Sequence, residues 1–186
     1  LVDSKNSISV GTIGGSVSLA SLSNIQVAGN IVLNSSSTTL GGAFGNISSS
    51  DNKTFSDVKI HVDMDINATS LNFGGFTGHF DSNAYNKTVY FKNIMTAGDI
   101  NIYATNTLRA SGIIGYCSGE PLDIFQHCQS SMNINIDATG ATSYIGGILA
   151  HGTTWDGVEF YNCGFSGNIS EIASSTTVYS AIFPPK

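Results

Sequence analysis

The sequence predicts an all-β protein in which about five parallel coils stack into a solenoid. Isoleucine recurs at Ile31, Ile66, Ile100, Ile134 and Ile169, with spacings of 35, 34, 34 and 35 residues. A fixed period of this length, repeated along the chain, indicates a repeat architecture. The composition, with 21 glycines and only 11% charged residues, favours short strands joined by polar turns over helices.

Each repeat has two halves. The first is a glycine-centred segment, predicted as a strand, at 12–17, 40–45, 73–78, 110–115 and 144–149. The second is a longer strand pair, most complete at 160–169 (FYNCGFSGNI). A period of 34 also fits pairs of helices, but these need apolar residues at i, i+3, i+4 and i+7. Here apolar or small residues alternate with polar ones, so the helical alternative fails.

Stacked coils place equivalent residues ~4.8 Å apart in columns that run along the solenoid. The isoleucines above form one predicted inward column. Two further inward columns are predicted, and they comprise Ile25, Ile60, Ile94, Cys128 and Cys163, and Leu22, Phe91, Phe125 and Phe160. A turn column comprises Asn24, Asn93 and Asn162, with His127 in the fourth coil. Asparagine tolerates left-handed backbone, so it suits such a turn.

Three regions are predicted: an extended segment at 1–10, the coils at 11–177, and an edge strand with a tail at 178–186. Neither end offers a capping unit, and the strand at 178–183 is apolar and uncharged. We therefore expect head-to-tail association of copies, unless the chain is one segment of a longer solenoid. Because it opens on Leu1, we read it as a mature or trimmed segment.

The segments 144–149 (YIGGIL) and 160–169, with their copies over roughly 12–172, resemble the glycine-rich GLUG-type repeats of secreted adhesins. That family lies within the right-handed parallel β-helix class. The resemblance implies an extracellular or cell-surface protein with a structural or adhesive role; we expect no catalytic activity, because no acid–base constellation is visible in the sequence. It also makes cell-surface glycans plausible partners.

The charge and the hydropathy of the chain argue against nucleic-acid binding and against a membrane span. The net charge is -6 with Arg109 as the single arginine, so no basic groove for nucleic acid is expected. No apolar run reaches the 18 residues of a membrane span.

The rival function is a polysaccharide-active β-helix enzyme, which needs a close carboxylate set. Only Asp63, Asp65 and Asp99 could supply one, with Asp65 and Asp99 predicted to stack. Calcium could bind there, but we expect no cofactor, and no catalytic residues can be assigned.

Four further sets of residues could carry function. Trp155 could contact a sugar or a partner in a lectin-like module, the third functional hypothesis. The histidines His61, His79, His127 and His151 are scattered and lack metal-ligand spacing. Sequons are present at Asn34, Asn46, Asn52 and Asn86, predicted in loops, and at Asn67 and Asn168, predicted on outward strand positions. Cys128 and Cys163 share a column, so we predict a disulfide between them with Cys117 unpaired; a Cys117–Cys128 pair and three free thiols remain alternatives.

Overall fold

A computed structural model describes residues 2–18, 21–82, 86–119, 122–153, 157–172 and 176–180, and the side chains of all these except 2–7 and 176–180. Every regular element in the described part is a strand, and no helix there could cross a membrane. The strands are β1 Val2–Gly11, β2 Gly14–Ser18, β3 Leu22–Gly41, β4 Phe44–Ser49, β5 Lys53–Gly74, β6 Thr77–Ser82, β7 Thr88–Ser111, β8 Ile114–Gly119, β9 Leu122–Gln126, β10 Gln129–Asp137, β11 Thr142–Gly146, β12 Leu149–Gly152, β13 Val158–Tyr161, β14 Gly164–Phe165, β15 Ile169–Ile172 and β16 Thr176–Ser180.

The strands form two parallel sheets that wind into one solenoid. The long strands β1, β3, β5 and β7 pair in that order and continue into β9–β11 and then β13–β16. The second sheet has the order β12-β8-β6-β4-β2. Partners lie about one coil apart in the sequence, which gives about five coils with ~34-residue spacing. The predicted fold class is therefore confirmed.

The turn column is confirmed and gains a fifth member. Asn24, Asp57, Asn93, His127 and Asn162 all have left-handed backbone, with φ between 52° and 56°. Their side chains bond from coil to coil: Asn93 Nδ2 donates to Asp57 Oδ1 over 2.9 Å. Because Asn and Asp tolerate this conformation better than most residues, each coil turns at the same place.

Phenylalanine rings stack along the core through four coils. Phe55 and Phe91 have ring centroids 5.4 Å apart, Phe91 and Phe125 4.7 Å, and Phe125 and Phe160 5.0 Å. Their planes lie within 20° of parallel, while Phe80 packs edge-on to Phe91. This is the predicted aromatic column with Phe55 added, since Phe55 pairs with Leu22 on one side and Phe91 on the other.

The predicted register of the second coil is wrong by two residues. Met64, not Ile66, pairs with Ile31 and Ile100, and Val58, not Ile60, pairs with Ile25 and Ile94. The true isoleucine column is Ile31, Met64, Ile100, Ile134 and Ile169, with spacings of 33, 36, 34 and 35 residues. Side chains alternate with a period of two, so a two-residue slip keeps every apolar residue inward.

The glycine-centred segments, each predicted as one strand, hold a two-residue bend between the end of one strand and the start of the next, so each forms a corner. At the fourth segment β7 ends at Ser111 and β8 begins at Ile114, with Gly112 and Ile113 between them. The Gly112 carbonyl accepts a 2.6 Å bond from Thr96 Oγ1, which lies on the inner face of β7. A Cβ at Gly112 would collide with Ser130 across the core. Glycine is required because the corner touches the opposite strand.

The segment predicted as an N-terminal extension lies in the stack itself, because β1 pairs in parallel with β3 from Val2↔Leu33 to Gly11↔Gly41. At the other end, β16 pairs with β11, with Tyr144 opposite Val178. Residues 181–183 of the predicted edge strand, and Trp155, lie outside the described residues.

Candidate functional site

The predicted carboxylate site lies on the outer face of the long sheet, but its members differ from the prediction. Asp63, not Asp65, is the neighbour of Asp99: the Asp99 N–H donates to Asp63 Oδ1 over 2.9 Å. Asp65 lies in the next column, where it accepts a 2.8 Å bond from Asn101 Nδ2. The same two-residue slip explains the error, because Asp63 and Asp65 share one face of the strand.

Amide donors satisfy these carboxylates from the following coil. Asn133 Nδ2 donates to Asp99 Oδ1 over 2.8 Å, and the Asn168 N–H donates to Asn133 Oδ1 over 3.2 Å. Among the described residues, no three His, Cys, Asp or Glu side chains gather as a set that could hold a metal ion. The columns therefore act as hydrogen-bonded ladders that join successive coils.

Two of the three cysteines occupy equivalent positions in adjacent coils, as predicted. Gln129 pairs with Gly164, which places Cys128 and Cys163 side by side. Both are thiols in this structure; Cys128 is buried and Cys163 is half-buried. A hydrogen bond from the Cys128 thiol lowers the pKa of Cys163 to about 7, and the same bond raises the pKa of Cys128. Cys163 is therefore the thiolate that starts any exchange.

We expect Cys128 and Cys163 to form a disulfide when the folded protein is treated with oxidised glutathione. The Cys163 thiolate attacks one sulfur of the glutathione disulfide and releases one glutathione thiolate. Cys128, as its thiolate, then attacks Cys163 Sγ in the mixed disulfide and releases the second glutathione. Peptide mapping without reduction checks this, with Cys163→Ser as the control that leaves Cys128 reduced or glutathionylated. A Cys117-linked peptide, or no linked peptide from the wild type, would contradict the pairing.

The six sequons differ in accessibility. Asn34, Asn52, Asn67, Asn86 and Asn168 are exposed, and of the four predicted in loops only Asn52 and Asn86 lie between strands. Asn34 lies within β3, where it pairs with Asn67. Two glycans on adjacent coils would lie only ~4.8 Å apart at their roots.

Asn46 is the exception among the sequons. It lies within β4 rather than in a loop, is half-buried, and its Oδ1 atom is buried without a hydrogen-bond partner in the described structure. A glycan on Asn46 would have to displace the side chains around it.

A groove that the sequence did not predict follows the glycine corners. On one side lie Ser9, Thr39, Asn72, Arg109 and Tyr144, and on the other lie Ser16, Asn46, His79, Tyr116 and His151. The Arg109 Cζ atom lies 4.5 Å from the Tyr116 ring centroid, so side chains from both sides of the corner meet on the outer surface. We call these two columns, in that order, the first and second walls of the corner groove.

Aromatic rings stack along one wall of the corner groove. The Tyr116 ring lies between His79, at 4.9 Å, and His151, at 5.5 Å, with planes within 24° of parallel. His79 Nε2 and Ser118 Oγ are 2.8 Å apart, and Ser118 Oγ donates to Asp81 Oδ1 over 3.0 Å. Because Ser118 has only one proton, His79 must donate to it, so this chain differs from a triad in which histidine accepts the serine proton.

The two histidines of the corner groove are held neutral. Burial lowers the pKa of His79, the carboxylate of Asp81 opposes that shift, and the Arg109 charge adds to it. Burial and the Arg109 charge also lower the pKa of His151. The groove therefore presents neutral imidazoles at neutral pH.

A buried acid lies behind the same region. Asp123 is 2% exposed, and the Cys117 thiol donates to its Oδ2 atom over 2.9 Å. Burial raises the pKa of Asp123 from 3.8 to about 7, opposed by the bond from Cys117. Cys117 therefore donates to a buried carboxyl group, and it lies at a different corner of the coil from Cys128 and Cys163.

The second wall of the corner groove, though not its meeting with the first, could have been predicted from the glycines. This wall lies four residues after Gly42, Gly75, Gly112 and Gly147, which gives Asn46, His79, Tyr116 and His151. When the repeats are aligned on their long strands rather than on the corner glycines, His79 and His151 fall at unrelated positions, so the column is not visible.

No protein-family model matches this chain, and no curated protein or solved structure matches it significantly. The parallel β-solenoid is therefore established by its own strand pairing and side-chain columns.

Proposed function

We propose that this protein is a non-catalytic structural or adhesive component of an extracellular surface, and that its coils associate end to end. The observation that carries the proposal is the change in burial along the stack. Ile100 and Ile134, in middle coils, are 0% exposed, whereas Ile31 and Ile169 of the same column are only partly buried.

Both end faces of the stack carry apolar side chains that are only partly buried. Partly buried apolar residues are Ile8, Val10, Val17, Leu22, Ile25, Val27 and Ile31 towards one end, and Val158, Phe160, Cys163 and Ile169 towards the other. Within the described residues, β1 and β2 pair along one edge only, as do β13 and β16. Such edges add further parallel strands, and the apolar columns continue into the added coil.

Other features support an extracellular role. The outer faces carry hydrogen-bonded amide and carboxylate ladders. Five of the six sequons are exposed, which suits N-glycosylation in a secretory pathway. The GLUG-type resemblance of 144–149 and 160–169 favours the same conclusion.

We expect the wild-type protein to form end-to-end oligomers whose sedimentation coefficient rises with concentration. Ile31→Lys should weaken this assembly, because a charge at the edge of the apolar column opposes burial under a second coil. Sedimentation velocity measures the effect, and negative-stain images show whether the particles are linear.

Val32→Lys is the matched control, since Val32 is the next residue of β3 and points to the outer face with 45% exposure. Both variants must retain the β-sheet circular dichroism of the wild type. A wild type that stays monomeric at every concentration, or an Ile31→Lys variant that assembles like Val32→Lys, would refute the proposal.

A further inference from the structure

Arg109 is a partly buried cation with no carboxylate partner among the described residues. Its Nη1 atom donates to Asn72 Oδ1 over 3.0 Å, and its Nε atom is buried without a partner. The guanidinium otherwise contacts the rings of Tyr116 and Tyr144, at 4.5 and 5.7 Å from Cζ. A guanidinium has five N–H donors, so most of its bonding capacity is unused.

The surroundings do not neutralise this charge. His79 and His151 are neutral at ordinary pH because their pKa values are lowered. The acid that acts on His79, Asp81, accepts a bond from Ser118, which lies between it and His79. A partly desolvated cation of this kind gains stability from an oxyanion that bonds to its free N–H groups.

A hydroxyl-lined cavity opens next to Arg109. Its volume is ≈ 430 Å³, and its outward polar lining is Ser9, Thr39, Asn72 and Arg109 of the first wall of the corner groove, with the neighbouring Ser37, Ser70 and Thr107. Successive coils present these hydroxyl and amide groups every ~4.8 Å along the cavity. Short donors and acceptors at this spacing can bond to a ligand that carries hydroxyl groups on several sides.

From these features we infer that the cavity along the first wall of the corner groove binds an oxyanion carried on a sugar, with Arg109 holding the carboxylate or sulfate group. The fixed fork of the guanidinium bonds to such a group through two N–H donors, and Asn72 orients the fork through Nη1. The serine and threonine hydroxyls bond to the sugar ring. The site lies on the side of the stack, so it does not depend on association through the ends.

The test is a binding titration of the full chain with three sugars that differ at one position: glucuronate, glucose 6-sulfate and glucose. Ligand-observed nuclear magnetic resonance gives Kd for each. We expect at least one of the two anionic sugars to bind roughly tenfold or more tightly than glucose, and added salt to weaken that binding. The stronger of the two anions identifies the group as carboxylate or sulfate.

Three variants assign the binding to this cavity. Arg109→Gln should weaken binding of the anionic sugar by roughly tenfold or more, and Arg109→Lys should give an intermediate Kd because it keeps the charge but not the fork. Lys59→Gln removes an exposed cation from the outer face of β5 and should leave Kd unchanged. Thermal melting confirms that each variant is folded.

Equal binding of glucose and both anionic sugars, or no binding of any, would overturn the inference. So would an Arg109→Gln variant with the wild-type Kd, or a Lys59→Gln variant that loses binding as fully as Arg109→Gln. If Arg109→Gln does not fold, Arg109→Lys decides: a Kd equal to that of the wild type excludes recognition by the guanidinium fork.

Discussion

Ile100→Asp is expected to leave the protein unfolded. Ile100 is 0% exposed in the middle of the inward column, where its neighbours are Met64 and Ile134. A carboxylate there would have no counter-ion and no polar partner in the apolar column. We expect the free energy of unfolding to fall by more than about 4 kcal/mol, enough to remove the stability of most domains.

Circular dichroism and urea unfolding of Ile100→Asp measure this loss. Thr105→Asp is the matched control, because Thr105 is an exposed residue of the same strand, and the change should stay within about 0.5 kcal/mol. Similar losses in the two variants would mean that the inner and outer faces of β7 are wrongly assigned.

The sequence was sufficient for the architecture, and Ile100 shows why. Its column repeats near 34 residues, and its strand alternates between inward and outward side chains, so both the coil and the face could be predicted. The turn residues Asn24, Asn93, His127 and Asn162 were found in the same way, and each has left-handed backbone. These features are local in sequence and repeat in every coil.

The register of the second coil could not be predicted from the alternation of apolar residues. Met64 and Ile66 both point inward, and the loops on either side of the coil differ in length. The turn residue decides the register. Asp57 follows Phe55 by two residues, just as Asn93 follows Phe91 in the next coil, and both turn residues have left-handed backbone. Treating Asp as equivalent to Asn at this turn would have placed Asp63 beside Asp99.

The corner groove was missed for a different reason. Arg109 and Tyr116 lie on two strands whose relative orientation depends on the corner at Gly112, and no local pattern reports that orientation. Asp123 was missed likewise, because its burial follows from the packing of β8 beside β9. Sites that depend on the angle between sheets need the three-dimensional structure.

Asp123 gives the second large effect, a loss of stability as the pH rises. In the folded protein burial raises its pKa to about 7, against 3.8 for an exposed carboxyl group. The folded state therefore binds this proton more tightly than the unfolded state. Its stabilising contribution is fully present below about pH 4 and is lost as the pH rises to about 7. At about 1.4 kcal/mol per pH unit, the loss is on the order of 4 kcal/mol.

Asp123→Asn should remove this dependence, because the amide cannot ionise. His79 and His151 have lowered pKa values, so their protonation destabilises the folded state at low pH and acts in the opposite direction. The difference between the wild-type and variant curves isolates Asp123. Urea unfolding at intervals from pH 4 to pH 8 measures both curves.

Asp57→Asn is the control for Asp123→Asn, since Asp57 is exposed and asparagine occupies the equivalent turn of the neighbouring coils. This variant makes the same exchange of carboxyl for amide at an exposed turn, so it controls for the substitution itself. The amide of Asp123→Asn leaves a buried N–H₂ group without an acceptor, which lowers stability by about 1–3 kcal/mol at every pH. The slope is therefore the decisive quantity: parallel curves for wild type and Asp123→Asn would show that Asp123 is ionised throughout this range.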